Sequence, residues 1–309
     1  MIIHAMSDLL NGVTALTHLG VIAVEGEDAA TFLQGQLTQD FVLLGPAEAR
    51  LAAYCTAKGR MLASFVGFKQ ADGRILLVTS RDLLAPTLKR LSMFVLRAKA
   101  KLRDASAEFE LHGVAGAAAN AAVQSHEPWR RTDAGSATAL NLCPADGPPR
   151  SLWVTPAGQA APAGPALKHE LWLWGDVRSG VATITARIAE AFVPQMLNYE
   201  SIGGVNFKKG CYPGQEVVAR SQFRGTLKRR AFLAHSGGLL QAGQEIFHQA
   251  DRDQPCGMVA QASAAPQGGF DAIVSMQIAQ SHEGALTAGS PEGPAVTVQA
   301  PPYPLLADV

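Results

Sequence analysis

The hydrophobic pattern of the first hundred residues changes its period twice. GVIAVEGEDAATFLQGQLTQDFVLL opens with an apolar run over 21–24, which predicts a strand, and continues with apolar residues at roughly helical spacing. From Ala49, three apolar segments are separated by KG and ADG, and this arrangement predicts three antiparallel strands joined by hairpins. An amphipathic segment that follows residue 80 predicts a helix.

The pattern between residues 106 and 200 is less regular. EFELHGVAGAAANAAV predicts a strand followed by a helix, and LWVTPAG predicts another strand. Residues 126–150 are rich in Gly, Pro and small side chains, which predicts an irregular excursion. ELWLW alternates its tryptophans, which predicts a strand with Trp172 and Trp174 on one face. TARIAEAFVPQMLN then predicts a helix that ends at Pro194.

Beyond Lys228 the chain becomes a series of short strand patterns between Gly- and Pro-rich turns. The segments are RAFLAHS, QEIFHQ, CGMVAQAS, AIVSMQIAQ and AVTVQA. Short strands at this spacing indicate a separate small β-barrel or sandwich. The whole chain is therefore predicted to be α+β, with a β-rich C-terminal domain.

The composition and the motifs of the sequence limit the classes of protein to which the chain can belong. The 309 residues are 48% hydrophobic and 17% charged, which suits a globular chain of two or three domains. No basic N-terminal region with a long apolar run is present, so we expect a cytoplasmic protein without a membrane span. The four cysteines form no CxxC pair, so we expect neither a disulfide framework nor a local metal site. The common phosphate-binding loops are also absent from the sequence.

Charge is balanced over the whole chain but not along it. Lys+Arg and Asp+Glu are 26 each, so no global field directs the molecule to nucleic acid or membrane. Between residues 208 and 230, however, seven basic residues face a single acidic one, Glu216, a local excess of six. Such a segment could hold a phosphate, a carboxylate tail or an RNA backbone, and a solvated basic linker is the plain alternative.

Within that segment, FKKGCYPGQE places one thiol among cationic side chains. Lys208 and Lys209 precede Cys211 and would favour its thiolate. Gly210 and Pro213-Gly214 predict a turn rather than a core strand. A thiolate on a turn could attack an electrophile, ligate a metal or form a mixed disulfide, whereas most lone cysteines are small buried hydrophobes.

The stretch QMLNYESIGGVNFKKGCYPGQEVVARSQFRGTLKRR resembles the signature of the YgfZ-type folate-binding proteins. These belong to the superfamily of the glycine-cleavage T-protein, an aminomethyltransferase, and include mitochondrial iron–sulfur assembly factors. VEGEDAATFLQGQLTQD and YCTAKGRMLASF resemble the family as well. The resemblance implies a T-protein-like ring of three domains. Its parts are a first α+β domain over 1–48 and 106–200, an inserted α+β domain over 49–105, a motif segment over 201–230 and a C-terminal β-barrel over 231–309.

The resemblance also implies a function. Tetrahydrofolate would bind in a central cleft, and the protein would assist the assembly or repair of iron–sulfur proteins, with indirect effects on tRNA modification. An iron–sulfur cluster would be held only transiently, the partners would be iron–sulfur client or assembly proteins, and direct contact with nucleic acid is not expected. Cys211 matches the family's motif cysteine and Trp172 a tryptophan of the cleft. We assign folate binding to Trp172, Arg178, Arg224 and Lys228. The residues that we expect to support Cys211 within the motif are Lys208, Lys209, Tyr212, Gln215, Glu216 and Arg220.

Three departures from the superfamily bear on the reaction. Leu19 stands where the family has a second cleft tryptophan, and Arg178 stands where it has a folate-gripping glutamate. The stretch 61–64, Met-Leu-Ala-Ser, lacks the acidic pair of the T-protein hairpin, and aminomethyl transfer needs an acid–base group. A folate-dependent aminomethyltransferase or demethylase and an RNA-binding module are kept as alternatives, the latter with an affinity that falls steeply with salt.

Overall fold

The computed structural model describes residues 9–122, 125–223 and 227–306. Within these ranges the chain forms two five-stranded antiparallel sheets and a closed six-stranded barrel, which confirms the predicted α+β class with a C-terminal barrel. The strands are β1 (Gly12–Ala15), β2 (Leu19–Glu25), β3 (Ala49–Cys55), β4 (Met61–Lys69), β5 (Ile75–Ser80), β6 (Lys101–Asp104), β7 (Phe109–Ala115), β8 (Arg131–Ala134), β9 (Ala137–Leu142), β10 (Arg150–Pro156), β11 (Arg229–Ser236), β12 (Glu245–His248), β13 (Asp251–Ala264), β14 (Phe270–Gln277), β15 (Leu286–Ala288) and β16 (Ala295–Gln299). The α-helices are α1 (Ala29–Gln34), α2 (Arg81–Ser92), α3 (Ala117–Ala122), α4 (His169–Arg178) and α5 (Gln215–Phe223).

The two sheets interleave along the chain. The first has the strand order β1-β7-β10-β9-β8 and the second β3-β4-β5-β2-β6. The predicted strands β3, β4 and β5 pair as consecutive hairpins, and the predicted helix follows them as α2. Strand β2 pairs with β5 and β6, so the second sheet draws on residues from both sides of residue 48.

The position of β2 explains why its sequence is continuously apolar. Ile22 and Val24 belong to one hydrophobic core, whereas Val21 and Ala23 belong to another. Each of these four side chains has no exposed surface. A strand that is covered on both faces gains from an apolar residue at every position, and the usual alternation with polar residues is lost.

The segment from residue 126 to residue 199 departs from the sequence predictions. The expected excursion over 126–150 contains the β8–β9 hairpin, which extends the first sheet. The helix predicted up to Pro194 is absent, and only short 3-10 turns form, at Ala186–Ile188 and Pro194–Leu197. The amides of Ile184 and Ala186 donate to the side chains of Ser64 and Asp82 at 2.9 Å, so contacts with other elements replace the hydrogen bonds of a helix.

The barrel has the order β11-β14-β13-β12-β15-β16 and its own hydrophobic core. Five of its strands overlap the predicted segments, and the short strand β15 was not predicted. Helix α4 packs between the first sheet and strands β13 and β14 of the barrel. This helix also contributes one wall of an apolar cavity.

Candidate functional site

A cavity opens where the two sheets approach each other and α4. Its free space is about 680 Å³ when the open mouth and the solvent in it are included. The lining is mostly apolar and includes four aromatic side chains. The residues are Leu16, His18, Leu19, Leu51, Ser64, Phe65, Val66, Val78, Thr79, Trp129, Leu142, Cys143, Arg150, Leu152, Trp172, Asp176, Ser179, Val181, Ala182, Thr183 and Tyr199.

One side of the cavity carries its charged groups. Arg150 is 3% exposed, forms an ion pair with Asp176, and places its guanidinium carbon 4.2 Å from the ring centroid of Trp172. Its Nε atom and the Nδ1 atom of His18 are buried and have no hydrogen-bond partner. Burial lowers the pKa of His18, against the opposing effect of Asp176, so its imidazole is neutral at pH 7. Two residues of the lining therefore each carry a buried polar atom without a partner.

The two tryptophans of ELWLW lie on a helix, not on a strand, and this corrects the sequence prediction. Residues two apart on a helix are rotated by about 200° and face opposite sides. Trp172 accordingly lines the cavity, whereas the Nε1 atom of Trp174 donates to Asp271 of the barrel at 2.7 Å. Both side chains are buried, and the helix has neighbours on both sides, which removes the 3.6-residue periodicity that would identify it.

The predicted folate residues are not all brought together. Trp172 lines the cavity and so does Leu19. Arg178 does not line it, because its guanidinium binds Asp146 at 2.6 and 2.9 Å and lies 3.7 Å from Asp271 of the barrel. Lys228 is exposed at the start of the barrel, and Arg224 lies outside the described residues.

Cys211 is exposed, whereas the other three cysteines are buried. Its segment is fixed on two sides. Lys209 is 7% exposed, and its Nζ atom donates to the carbonyl oxygens of Gln34, the last residue of α1, and of Leu37, at 2.5 and 2.9 Å. Burial lowers the pKa of Lys209 to about 8, while Asp40 and Cys211 oppose that shift.

The other anchor of this segment is a close approach of two glycines. Gly214 has φ +83°, and a Cβ there would lie 2.7 Å from the Cα atom of Gly59 in the β3–β4 turn. Tyr212 is buried, and the Nζ atom of Lys209 lies 4.4 Å from its ring centroid. The thiol of Cys211 is therefore held on a well-anchored turn, and no residue of 200–223 lines the cavity.

The remaining motif residues surround that turn on the surface. Lys208, Glu216 and Arg220 are exposed, and Gln215 is partly exposed at the start of α5. The basic excess of this segment is dispersed in space. Arg230 is buried and pairs with Glu200 at 2.6 Å, and Arg229 donates to the carbonyl oxygen of Cys256 at 3.0 Å.

Several cavity residues were not identified from the sequence. His18, Arg150 and Asp176 come from three separate segments, and nothing in their local sequence indicates a site. Trp129 lies in a loop and has a positive φ of 65°, a conformation that only the structure reveals. Cys143 also lines the cavity, and burial raises its pKa to about 11, so it is a neutral thiol.

Two further findings concern metals and membranes. Within 9–122, 125–223 and 227–306, no three His, Cys, Asp or Glu side chains converge closely enough to hold a metal ion. Across the same part of the chain, every helix is too short or too polar to cross a bilayer.

The arrangement of two sheets, a capping helix and a C-terminal barrel is the fold of the glycine-cleavage T-proteins. The aminomethyltransferase T of the glycine cleavage system of Bartonella henselae superposes with a TM-score of 0.69, covering 98% of this chain and 89% of that one at 15% identity. Among curated proteins, the tRNA-modifying protein YgfZ of Cronobacter sakazakii is 34% identical over 253 residues, 76% of this chain and 75% of the relative. The YgfZ protein of Shigella boydii is 33% identical over 236 residues, 72% of each chain. No family model matches the chain. The chain belongs to the YgfZ family.

Proposed function

We propose that this protein binds a reduced folate, tetrahydrofolate, in the cavity between the sheets, and supports the assembly or repair of iron–sulfur proteins on which tRNA modification depends. Cys211 is the reactive thiol in this proposal. The tRNA context follows from the relatives, which are described as tRNA-modifying proteins. The observation that carries the folate part is an apolar, aromatic-walled cavity whose lining residues His18 and Arg150 each have a buried polar atom without a partner.

The cavity suits a flat, polar-edged ring. Buried polar groups are nearly always paired in proteins, so the free Nε–H of Arg150 and the free Nδ1 of His18 favour a ligand that pairs with them. A pteridine carries donors and acceptors along one edge and apolar faces above and below. Trp172 and Leu19 would form part of the apolar wall, and the exposed Lys228, with Arg224, is our candidate for attracting the anionic tail.

Cys211 does not line the cavity, so the thiol and the bound ligand would act at separate places. Cys211 faces solvent while the ligand would lie between the sheets, so a client protein could reach the thiol when the cavity is filled. We assign the charge of that surface to Lys208, Glu216 and Arg220, with Gln215 at its edge. The buried Lys209 and Tyr212 hold the turn beneath it. A single thiol cannot hold an iron–sulfur cluster, so another molecule would supply the remaining ligands.

Neither alternative gains support from the site. In the described lining of the cavity, Asp176 is the one carboxylate, and it pairs with Arg150. The hairpin that carries the acidic pair in the T-protein contributes the hydroxyl of Ser64 and no acid. An RNA-binding module would need a continuous basic surface, whereas Lys209 and Arg230 are buried and bonded to other groups.

The decisive experiment is an anaerobic calorimetric titration of tetrahydrofolate into the wild type and Cys211→Ser. We expect micromolar binding that survives the substitution, because the thiol is not part of the cavity. In a strain that lacks its own YgfZ protein, Cys211→Ser should fail to restore tRNA modifications made by iron–sulfur enzymes, whereas Gly210→Ala, a neighbouring exposed change, should restore them. Absence of binding in the wild type would refute the folate part, and full complementation by Cys211→Ser would refute the role of the thiol.

A further inference from the structure

The four aromatic side chains that line the cavity differ in what they can offer a ligand. Phe65 and Trp172 are each 1% exposed, and Tyr199 has no exposed surface. Trp129 is partly exposed. A ligand ring can stack only on an aromatic face that it can reach. Among the described residues of the lining, that face belongs to Trp129.

The two sides of Trp172 are already occupied. Gly113 of β7 lies so close beneath the ring that a Cβ there would be 2.5 Å from Cδ2 and 2.6 Å from Cζ3. The guanidinium of Arg150 lies over the ring, 4.2 Å from its centroid. Trp172 therefore supports Arg150 at the wall of the cavity and presents no free face.

Trp129 is held in an unusual conformation by bonds to three separate segments. Its φ of 65° is in the left-handed region, where a bulky residue is rare and persists only if its surroundings impose it. Its amide donates to the carbonyl oxygen of Asn141 at 2.9 Å, and its own carbonyl accepts from Ala49 at 2.8 Å. The indole Nε1 donates to the carbonyl oxygen of Ile202 at 2.8 Å, which fixes the ring orientation.

The indole also borders a second recess, and this indicates the shape of the ligand. That recess is more polar than the cavity and includes Gln39, Arg50 and Arg130. Trp129 is the residue common to the linings of both. Glu48 and Glu127 also line the second recess and pair with Arg50 and Arg130. A molecule that joins an aromatic ring to a polar chain matches an apolar cavity that leads into a polar recess.

We propose that Trp129 is the ring-binding and specificity-determining residue of the cavity. The inference rests on the proposed folate function and names the residue that recognises the aromatic part of that ligand. It places the aromatic ring of the ligand on Trp129, whereas the family resemblance places a folate contact at Trp172. The strained backbone and the Nε1 hydrogen bond keep the indole in place before the ligand arrives, which lowers the ordering cost of binding.

The test compares four variants by calorimetry with 5-formyltetrahydrofolate, an air-stable reduced folate. Stacking on an aromatic side chain contributes roughly a 5- to 150-fold change in affinity when it is removed. Trp129→Leu should therefore weaken binding at least 10-fold, while Trp129→Phe, which keeps an aromatic face, should weaken it less than about 5-fold. Trp172→Phe, which keeps a ring beneath Arg150, should weaken binding less than Trp129→Leu does. The control Trp153→Phe, outside the cavity lining, should stay within about 3-fold of the wild type.

A spectroscopic measurement separates ligand contact from structural support. The ligand should quench tryptophan fluorescence in the wild type and in Trp153→Phe. Quenching should fall more in Trp129→Phe than in Trp172→Phe, although both variants still bind. Wild-type binding with unchanged affinity in Trp129→Leu, or with undiminished quenching in Trp129→Phe, would overturn the role of Trp129 and leave the proposed function standing. No binding by the wild type would overturn the proposed function itself.

Discussion

Gly113→Ala perturbs the cavity through the contact between β7 and Trp172. The added Cβ would lie 2.5 and 2.6 Å from two ring atoms of Trp172, about 1 Å closer than an ordinary carbon contact. Trp172 is 1% exposed, so its ring cannot move into solvent. The φ of Gly113 is not in the left-handed region, so alanine can adopt this backbone conformation. The strain in the variant therefore comes from the contact between the new Cβ and the ring of Trp172.

The magnitude follows from two opposing effects. Overpacking a well-packed core costs about 1–3 kcal/mol. Alanine restricts the unfolded chain more than glycine does, and this offsets about 0.4–1 kcal/mol. We therefore expect Gly113→Ala to lower the free energy of unfolding by about 1–2 kcal/mol. The displaced ring would push the guanidinium of Arg150 into the cavity, so ligand affinity should fall as well.

The assay is urea unfolding followed by circular dichroism, with Gly210→Ala as the matched control. A Cβ at Gly210 meets nothing within 4 Å, so this variant should unfold within about 0.5 kcal/mol of the wild type. In a Trp172→Leu background the ring is gone, and Gly113→Ala should cost at least about 1 kcal/mol less. An equal cost in both backgrounds would show that the ring does not fill the space beside Gly113, and would refute the reasoning.

Three further predictions concern charge and thiol chemistry. The pKa of Lys209 is about 8 in the folded protein and 10.5 ordinarily, so the unfolded chain binds more protons between those values. The stability of the wild type relative to Lys209→Met should therefore rise by about 2 kcal/mol from pH 7 to 9.5, and a flat difference would contradict the burial of that charge. Glu200→Gln leaves the buried guanidinium of Arg230 without its carboxylate and should cost about 2–4 kcal/mol in urea unfolding, against less than about 0.5 for the exposed Glu292→Gln. A disulfide reagent should label one thiol per native chain quickly and none in Cys211→Ser, since the other three are buried; rapid labelling of a second thiol would show that one of these is accessible.

The family could be recognised before the structure because its signature is local. KGCYPGQE and its flanks are contiguous in sequence, and the relatives confirm the resemblance that they indicated. The hairpins of β3 to β5 and most barrel strands were also predicted, since alternation and turn residues act between neighbours in the chain. The prediction of secondary structure fails where a helix is buried on both sides and loses its alternation of apolar and polar faces. Helix α4 is the example, because Trp172 and Trp174 are both buried.

What the sequence determined by itself is the α+β class, the barrel, the family and an accessible cysteine on a turn, because each depends on residues close together in the chain. The tertiary structure alone decided the composition of the cavity. His18, Trp129 and Arg150 are separated by many residues and meet only when the two sheets and α4 pack together. The conformation of Trp129 is set by hydrogen bonds to 49, 141 and 202, and no local pattern can encode bonds to three distant segments.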